Sequence, residues 1–268
     1  MDADCVNVGT GAKFHLPTRE DLMKCFDEYD MTHKKRGVAY IFNNENFKDP
    51  KLETRYGSSK DTADFKTSLV NLGFREDDVK VYSDATAKDM LRALEDFNED
   101  NPDIKDNIDC FICAILSHGK ENDIIYGFEG EIELDKLLYC LRPDRCPSLT
   151  GVPKLIFIQA CRGSKPDAGV EKDDACEFGF EEKPPKIPIM ADMLVFHSSS
   201  NKHPSIRDKN KGSWFMQTLS KMLKEFGTTY EIMTLLTAVS KYVASLEFQS
   251  SDKQMPQIMS TLRKKLKF

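Results

Sequence analysis

The chain reads as an α/β protein built on one mostly parallel, six-stranded sheet with helices on both faces. Two patterns predict this. Short apolar runs bounded by polar residues recur along the chain, and each reads as a buried strand. Between many of them stand segments with apolar residues at helical spacing, and strands alternating with helices assemble as a parallel sheet covered on both sides. A third observation sets the scale: 268 residues, 40% of them hydrophobic, suffice for one large core.

The elements follow in order. Residues 1–30 are polar and irregular apart from a short helix expected over 19–29, and they are too few for a domain of their own. The first strand covers 38–42. A helix over 61–72 carries Ala63, Phe65, Leu69, Val70 and Leu72 and stops at Gly73. Residues 79–82 form the second strand. The helix over 86–97 gathers Ala87, Met90, Leu91, Leu94 and Phe97 on one side. A third strand spans 108–116, a third helix 134–141 and a fourth strand 155–159. From 165 to 188 the periodicity lapses around Asp167, Asp173, Asp174 and Pro184-Pro185, which reads as an exposed linker. A strand over 193–196, helices over 213–226 and 230–245, and a last strand over 257–262 complete the chain.

Composition narrows the function. The net charge of −6 argues against nucleic acid as a partner. The basic run 263–267 is short and reads as a solvated tail or strand end. The most apolar segment, 110–116, is far too short to cross a bilayer, and no signal-peptide pattern opens the chain, so a cytoplasmic protein without a membrane partner is expected. Eight cysteines without a secretory signal are expected as free thiols. Cys110 and Cys113 form a C-x-x-C, but on a strand they point to opposite faces, and no second such pair exists to complete a zinc site. Both are expected to be inert core residues, with no metal.

The chemistry is carried by Gln159-Ala160-Cys161-Arg162-Gly163, which follows an apolar strand directly. A thiolate is a strong nucleophile, but a free cysteine titrates near ~8.5 and needs a base at neutral pH. His118, in Ser117-His118-Gly119, stands 43 residues upstream and just past the end of its own strand. In open α/β sheets the carboxyl ends of the strands form the rim where ligands bind, so topology can bring the two together. Among His15, His33, His197 and His203, only His197 follows a strand as directly, and it is the alternative base. A lone cysteine after a strand is more often structural. The five-residue motif together with its histidine partner favours catalysis.

These two motifs resemble those of the caspases, cysteine proteases that cut after aspartate. Further stretches carry the likeness from about Tyr29 onward: Ala39-Tyr40-Ile41-Phe42-Asn43-Asn44, Asp144-Arg145-Cys146-Pro147-Ser148-Leu149-Thr150-Gly151 and Gly212-Ser213-Trp214-Phe215. The resemblance implies a three-layer sandwich, Cys161 as nucleophile, His118 as base, and the N–H groups of Gly119 and Cys161 as donors to the oxyanion. It also implies that Arg55, Gln159 and Arg207 read the substrate aspartate beside Ser205, and that Trp214 floors a pocket further along. Physically, a carboxylate taken out of water needs matched donors, and the arginine fork meets it bidentately. Pro204 and Ile206 stand where executioner caspases typically carry aromatic residues. Asp208 follows Arg207, and a carboxylate there is expected to weaken the hold on an acidic fourth substrate residue.

The same resemblance implies a zymogen. Residues 1–30 would be a short pro-segment, 31–173 a large subunit and 174–268 a small one, together one catalytic domain. The cut is expected after Asp173 or Asp174 in Val170-Glu171-Lys172-Asp173-Asp174. A pro-segment that short cannot hold a recruitment domain, which points to an executioner acting in apoptosis; the alternative is a longer N-terminus ahead of residue 1. Expected partners are protein substrates with aspartate at the cleaved position, a second copy of the chain, an upstream caspase and inhibitor-of-apoptosis proteins. No cofactor is expected. The alternative is a catalytically inactive homologue acting as a dimerising regulator, which would usually have lost one of Cys161, His118, Arg55, Gln159 or Arg207. A relative cutting after arginine or lysine would need acidic residues at positions 55 and 207.

Overall fold

In the computed structural model, which describes residues 17–101, 104, 107–163, 190–201, 203–247 and 253–268, the elements run as follows. They are α1 (Arg19–Met23), β1 (Lys35–Asn43), α2 (Ser58–Asn71), β2 (Val79–Ser83), α3 (Ala87–Glu95), α4 (Phe97–Asp100), β3 (Ile108–Leu116), β4 (Gly119–Lys120), β5 (Ile124–Tyr126), β6 (Glu131–Glu133), α5 (Leu134–Cys140), β7 (Lys154–Gln159), β8 (Met193–His197), β9 (Arg207–Asp208), β10 (Gly212–Ser213), α6 (Trp214–Phe226), α7 (Ile232–Ser245) and β11 (Gln257–Ser260).

Six of these strands form the central sheet, in the order β11-β8-β7-β3-β1-β2. Every neighbouring pair is parallel except β11 on β8. Alternate residues of each strand feed opposite faces. Tyr40, Phe42, Phe111, Ile115 and Ile156 join α3 and α5 in one core. Ala39, Ile41, Ile112, Leu116 and Phe157 join α2, α6 and α7 in the other. The sheet is thus buried on both sides, which is the expected sandwich. Cys110 lies in one core and Cys113 in the other, both unbonded to another cysteine, and burial raises both thiols far above their usual range.

Sequence and structure differ mainly where elements are short. β4, β5, β6, β9 and β10 have two or three residues each, too few for an alternating pattern to register. The helix expected over 19–29 stops at Met23; a single 3-10 turn, Lys24–Phe26, then leads into a bridge between Glu28 and Lys265. The basic run 263–267, expected as a solvated tail or strand end, keeps Lys265 and Lys267 exposed but is anchored at two points. Arg263 donates to both oxygens of the fully buried Asp192 at 2.9 and 2.7 Å, and Leu266 is buried in the core. A sealed carboxylate requires a charged partner, and that requirement draws the arginine in. Asp173, Asp174 and the 165–188 linker lie outside the described residues. Among the described residues no helix is long and apolar enough to cross a membrane.

The Tyr29 hydroxyl donates to Asp192 at 2.7 Å and accepts from the Arg263 amide at 3.1 Å, tying the segment before β1 to the segment after β11. Tyr29→Phe removes both bonds but leaves Asp192 its arginine. Urea unfolding should therefore show a loss of about 1–2 kcal/mol.

Candidate active site

β3 and β7 are neighbours in the sheet, with Leu116 in register with Gln159. Both end at one rim, and the Ser117 amide still donates to the Gln159 carbonyl at 3.1 Å. The segments that follow, Ser117-His118-Gly119 and Ala160-Cys161-Arg162, therefore leave the sheet side by side. Gly119 is needed for that approach. A Cβ there would stand 2.5 Å from the Cys161 carbonyl oxygen and 3.1 Å from the Ala160 Cβ. No other residue fits without parting the two segments.

His118 packs its ring on Phe47, with centroids 4.8 Å apart, and its Nε2 lies 2.8 Å from the Glu53 carbonyl oxygen. A carbonyl only accepts, so Nε2 carries the proton and Nδ1 keeps its lone pair. Burial pushes the His118 imidazole below its usual titration range, and the Arg55 and Arg207 charges push the same way. Cys161 is half-buried, and its sulfur accepts from the Ser205 amide at 3.4 Å.

The three residues expected to read aspartate converge beside it. Arg55 is 2% exposed and donates to the Asn44 carbonyl at 3.0 Å. Burial, helped by the repulsion of Arg207, lowers its guanidinium to about 10. Arg207 sits on β9 and donates to the Tyr56 carbonyl, one residue past Arg55. Gln159 ends β7, buried, with its Nε2 donating to Ser205 Oγ at 2.7 Å and its Oε1 unpartnered among the described residues. Because the serine hydroxyl can donate or accept, the amide can turn and offer its N–H₂ group to an incoming acceptor. Two charged forks and an under-used amide around one space are suited to a carboxylate.

Arg162 faces away from this pocket. Its guanidinium grips Asp123 bidentately, at 2.5 and 2.8 Å, and donates to Gln257 on β11 at 2.6 Å. It thereby ties the cysteine motif to the turn after β4 and to the sheet edge. The alternative base, His197, is sealed. It is in register with Ile158, is 1% exposed, and neither ring nitrogen has a partner among the described residues. Burial, with Arg162 nearby, lowers it to about 4, so it is a neutral core residue.

Further along the rim, the half-buried Trp214 opens α6 and its amide donates to the Ile206 carbonyl at 3.2 Å. Asp208 has a role that its position in the sequence did not reveal. Its Oδ1 accepts from the Asn210 and Lys211 amides, both at 2.8 Å, and these bonds hold its carboxyl below the usual range. It caps the β9–β10 turn, so repulsion of a substrate acid is not its first task. On the other side of Cys161 an open cleft of about 450 Å³ passes Gly119, Lys120, Glu121, Asn122 and Gly163. A roomier groove of about 750 Å³ lies among helices at Gln217, Lys221 and Tyr242, but it contains none of this chemistry.

Several contributors were not legible in the sequence. Glu53 and Asn44 act through backbone carbonyls, which carry no residue signature. Phe47 is one aromatic in a loop. Asp61, discussed below, sits in the first turn of α2, where an acid is expected anyway for the helix dipole.

Known proteins resemble this chain along most of its length. A family model described as a caspase domain aligns with residues 36–267. The chain is 40% identical over 254 residues to caspase-7 of Gallus gallus, covering 90% of this chain and 80% of the relative. It is 40% identical over 252 residues to caspase-1 of Drosophila melanogaster, covering 90% and 76%. The crystal structure of caspase-1 from Spodoptera frugiperda superposes with a TM-score of 0.79 at 32% identity, covering 95% of this chain and 98% of that one.

Proposed function

This chain belongs to the caspase family of cysteine endopeptidases, and from that premise we propose that it cleaves proteins after aspartate, as a zymogen-derived executioner of apoptosis. The observation that carries the reading is the convergence of Arg55, Arg207 and Gln159 beside Cys161. The substrate aspartate enters that space and exchanges its water for two guanidinium forks and an amide. Its carbonyl then lies over Cys161. Nδ1 of His118 takes the thiol proton, and the sulfur attacks the carbonyl carbon. The oxyanion that forms accepts from the amides of Gly119 and Cys161. Collapse breaks the C–N bond, and His118 returns the proton to the leaving amine. Water, deprotonated by the same imidazole, hydrolyses the thioester and frees the enzyme. Trp214 would floor the pocket for a residue further along the substrate.

Activation follows from connectivity. Cys161 precedes the linker and Arg207 follows it, so the site is built from both sides of the expected cut at Asp173 or Asp174. Cutting the tether frees the site loops to reorder. The pieces, 31–173 and 174–268, would stay together through the continuous sheet. β11 ends that sheet as an open edge with Met259 exposed, which suits pairing with a second copy. A cytoplasmic location, an upstream caspase and inhibitor-of-apoptosis proteins fit the same role.

The test is hydrolysis of fluorogenic tetrapeptides with Asp, Glu, Asn or Arg at the cleaved position. Cleavage after Asp alone is expected. No cleavage, even after the linker is cut by an added protease, would turn the reading to the inactive regulator. The pH profile is a second check. The base must be neutral to accept the thiol proton, and burial holds His118 below its ordinary 6.5. The acid limb of kcat/KM should therefore fall below that value, with activity lost as pH drops through it. A midpoint above it would contradict the assignment.

A further inference from the structure

The two arginines come from opposite sides of the linker, and a buried acid stands where their segments meet. Asp61 is fully buried in the first turn of α2, six residues after Arg55. The Ser213 amide donates to both of its oxygens at 3.0 Å, Ser213 Oγ donates at 2.8 Å, and Gln217 Nε2 at 3.0 Å. Ser213 Oγ also accepts from the Met216 amide at 3.4 Å, so its own proton is directed to Asp61. Burial raises the Asp61 carboxyl, but every neighbour donates to it, and these bonds together with the Arg55 charge favour the ionised form.

Ser213 is the cross-strand partner of Arg207 in the β9–β10 hairpin. Holding Ser213 therefore holds Arg207. The backbones interlock at the same place. A Cβ on Gly212 would stand 2.1 Å from Asp61 Oδ1, and one on Gly57 would stand 2.8 Å from the carbonyls of Asp208 and Lys209. Both glycines have positive φ, 93° and 88°. Asp61 favours the charged form of both Arg55 and Arg207, while Arg207 opposes that of Arg55. Two guanidinium groups and one carboxylate leave one unit of positive charge, the complement of one substrate carboxylate.

We propose that Asp61 is a positioning residue for the aspartate pocket: it fastens the Arg207 hairpin to the Arg55 segment and balances the two guanidinium charges, so that both forks stand ready before substrate arrives. This rests on the aspartate pocket proposed above. Without the carboxylate, the half-exposed Arg207 is repelled toward solvent, and each substrate molecule must bring it back.

The experiment is steady-state kinetics of Asp61→Asn on matched peptides with Asp or Asn at the cleaved position. KM for the Asp peptide should rise about tenfold or more with kcat within about threefold, and the preference for Asp over Asn should shrink by a similar factor. A merely structural role would instead lower the melting temperature and the titratable active sites while leaving KM and the Asp preference unchanged, and that result would overturn the inference. If Asp61→Asn does not fold, Gln217→Met removes one donor and keeps the charge. Its KM should rise about two- to threefold, and an unchanged KM again overturns the proposal. A parent enzyme that does not cleave after Asp would sink the pocket reading and this inference with it. A parent that does, beside an Asp61→Asn of unchanged KM, sinks only the inference.

Discussion

Cys161→Ala should abolish cleavage of an aspartyl peptide, lowering kcat by roughly 10⁵-fold or more, as loss of a protease nucleophile does. Neither the tetrapeptide affinity nor the fold should change much. Cys161 is half-buried at the end of β7, and its sulfur holds one weak bond, from the Ser205 amide. The melting temperature should move by less than about 3 °C. Residual activity above about 1% of the parent would mean that another group attacks the carbonyl. Four of the other thiols are poor candidates for that group. Cys110, Cys113, Cys140 and Cys146 are buried, and burial raises all four.

Arg55→Leu should remove most of the preference for aspartate. The substrate carboxylate would enter a buried site and meet one fork in place of two. Truncating one partner of a buried charge pair costs about 2–5 kcal/mol, so kcat/KM for the Asp peptide should fall about 10³-fold. The Asn peptide, which brings no charge, should lose far less, and the Asp/Asn ratio should collapse. Arg55→Lys should lie between the two, because it keeps the charge and loses the fork. An Asp/Asn ratio preserved in Arg55→Leu would show that the pocket reads aspartate by other means. The side chain's bond to the Asn44 carbonyl is replaceable by water, so a large loss of stability is not expected.

Much of this was open to view in the residues. The strand over 108–116 is expected with the bounds that β3 has, because the apolar run 110–116 and Ile108 just ahead of it mark a strand buried on both faces. The helix over 213–226 was expected within one residue of α6, because Phe215, Leu219 and Leu223 recur at helical spacing above a Ser213 cap. α2 begins earlier than the apolar pattern indicates, at Ser58, because its first turn, Ser58-Ser59-Lys60-Asp61, carries no apolar residue. The small hairpins escaped notice, and with them the frame that holds Arg207. The tie of Arg263 to Asp192 and the turn cap made by Asp208 leave no trace in the sequence for one reason: a charge looks solvated until the group that buries or binds it is known.

The residues alone establish the α/β class, the paired cysteine and histidine motifs, and the chemistry they can perform. Those features are local: period, motif and strand end are written within a few neighbouring positions. The folded chain alone decides which nitrogen of His118 is free, since a backbone carbonyl at Glu53 sets it. It alone brings Asp61 to Ser213 across 152 residues, and with them the two arginines. Such contacts depend on loop closure and on backbone groups common to every residue, and neither leaves a periodic trace in the chain.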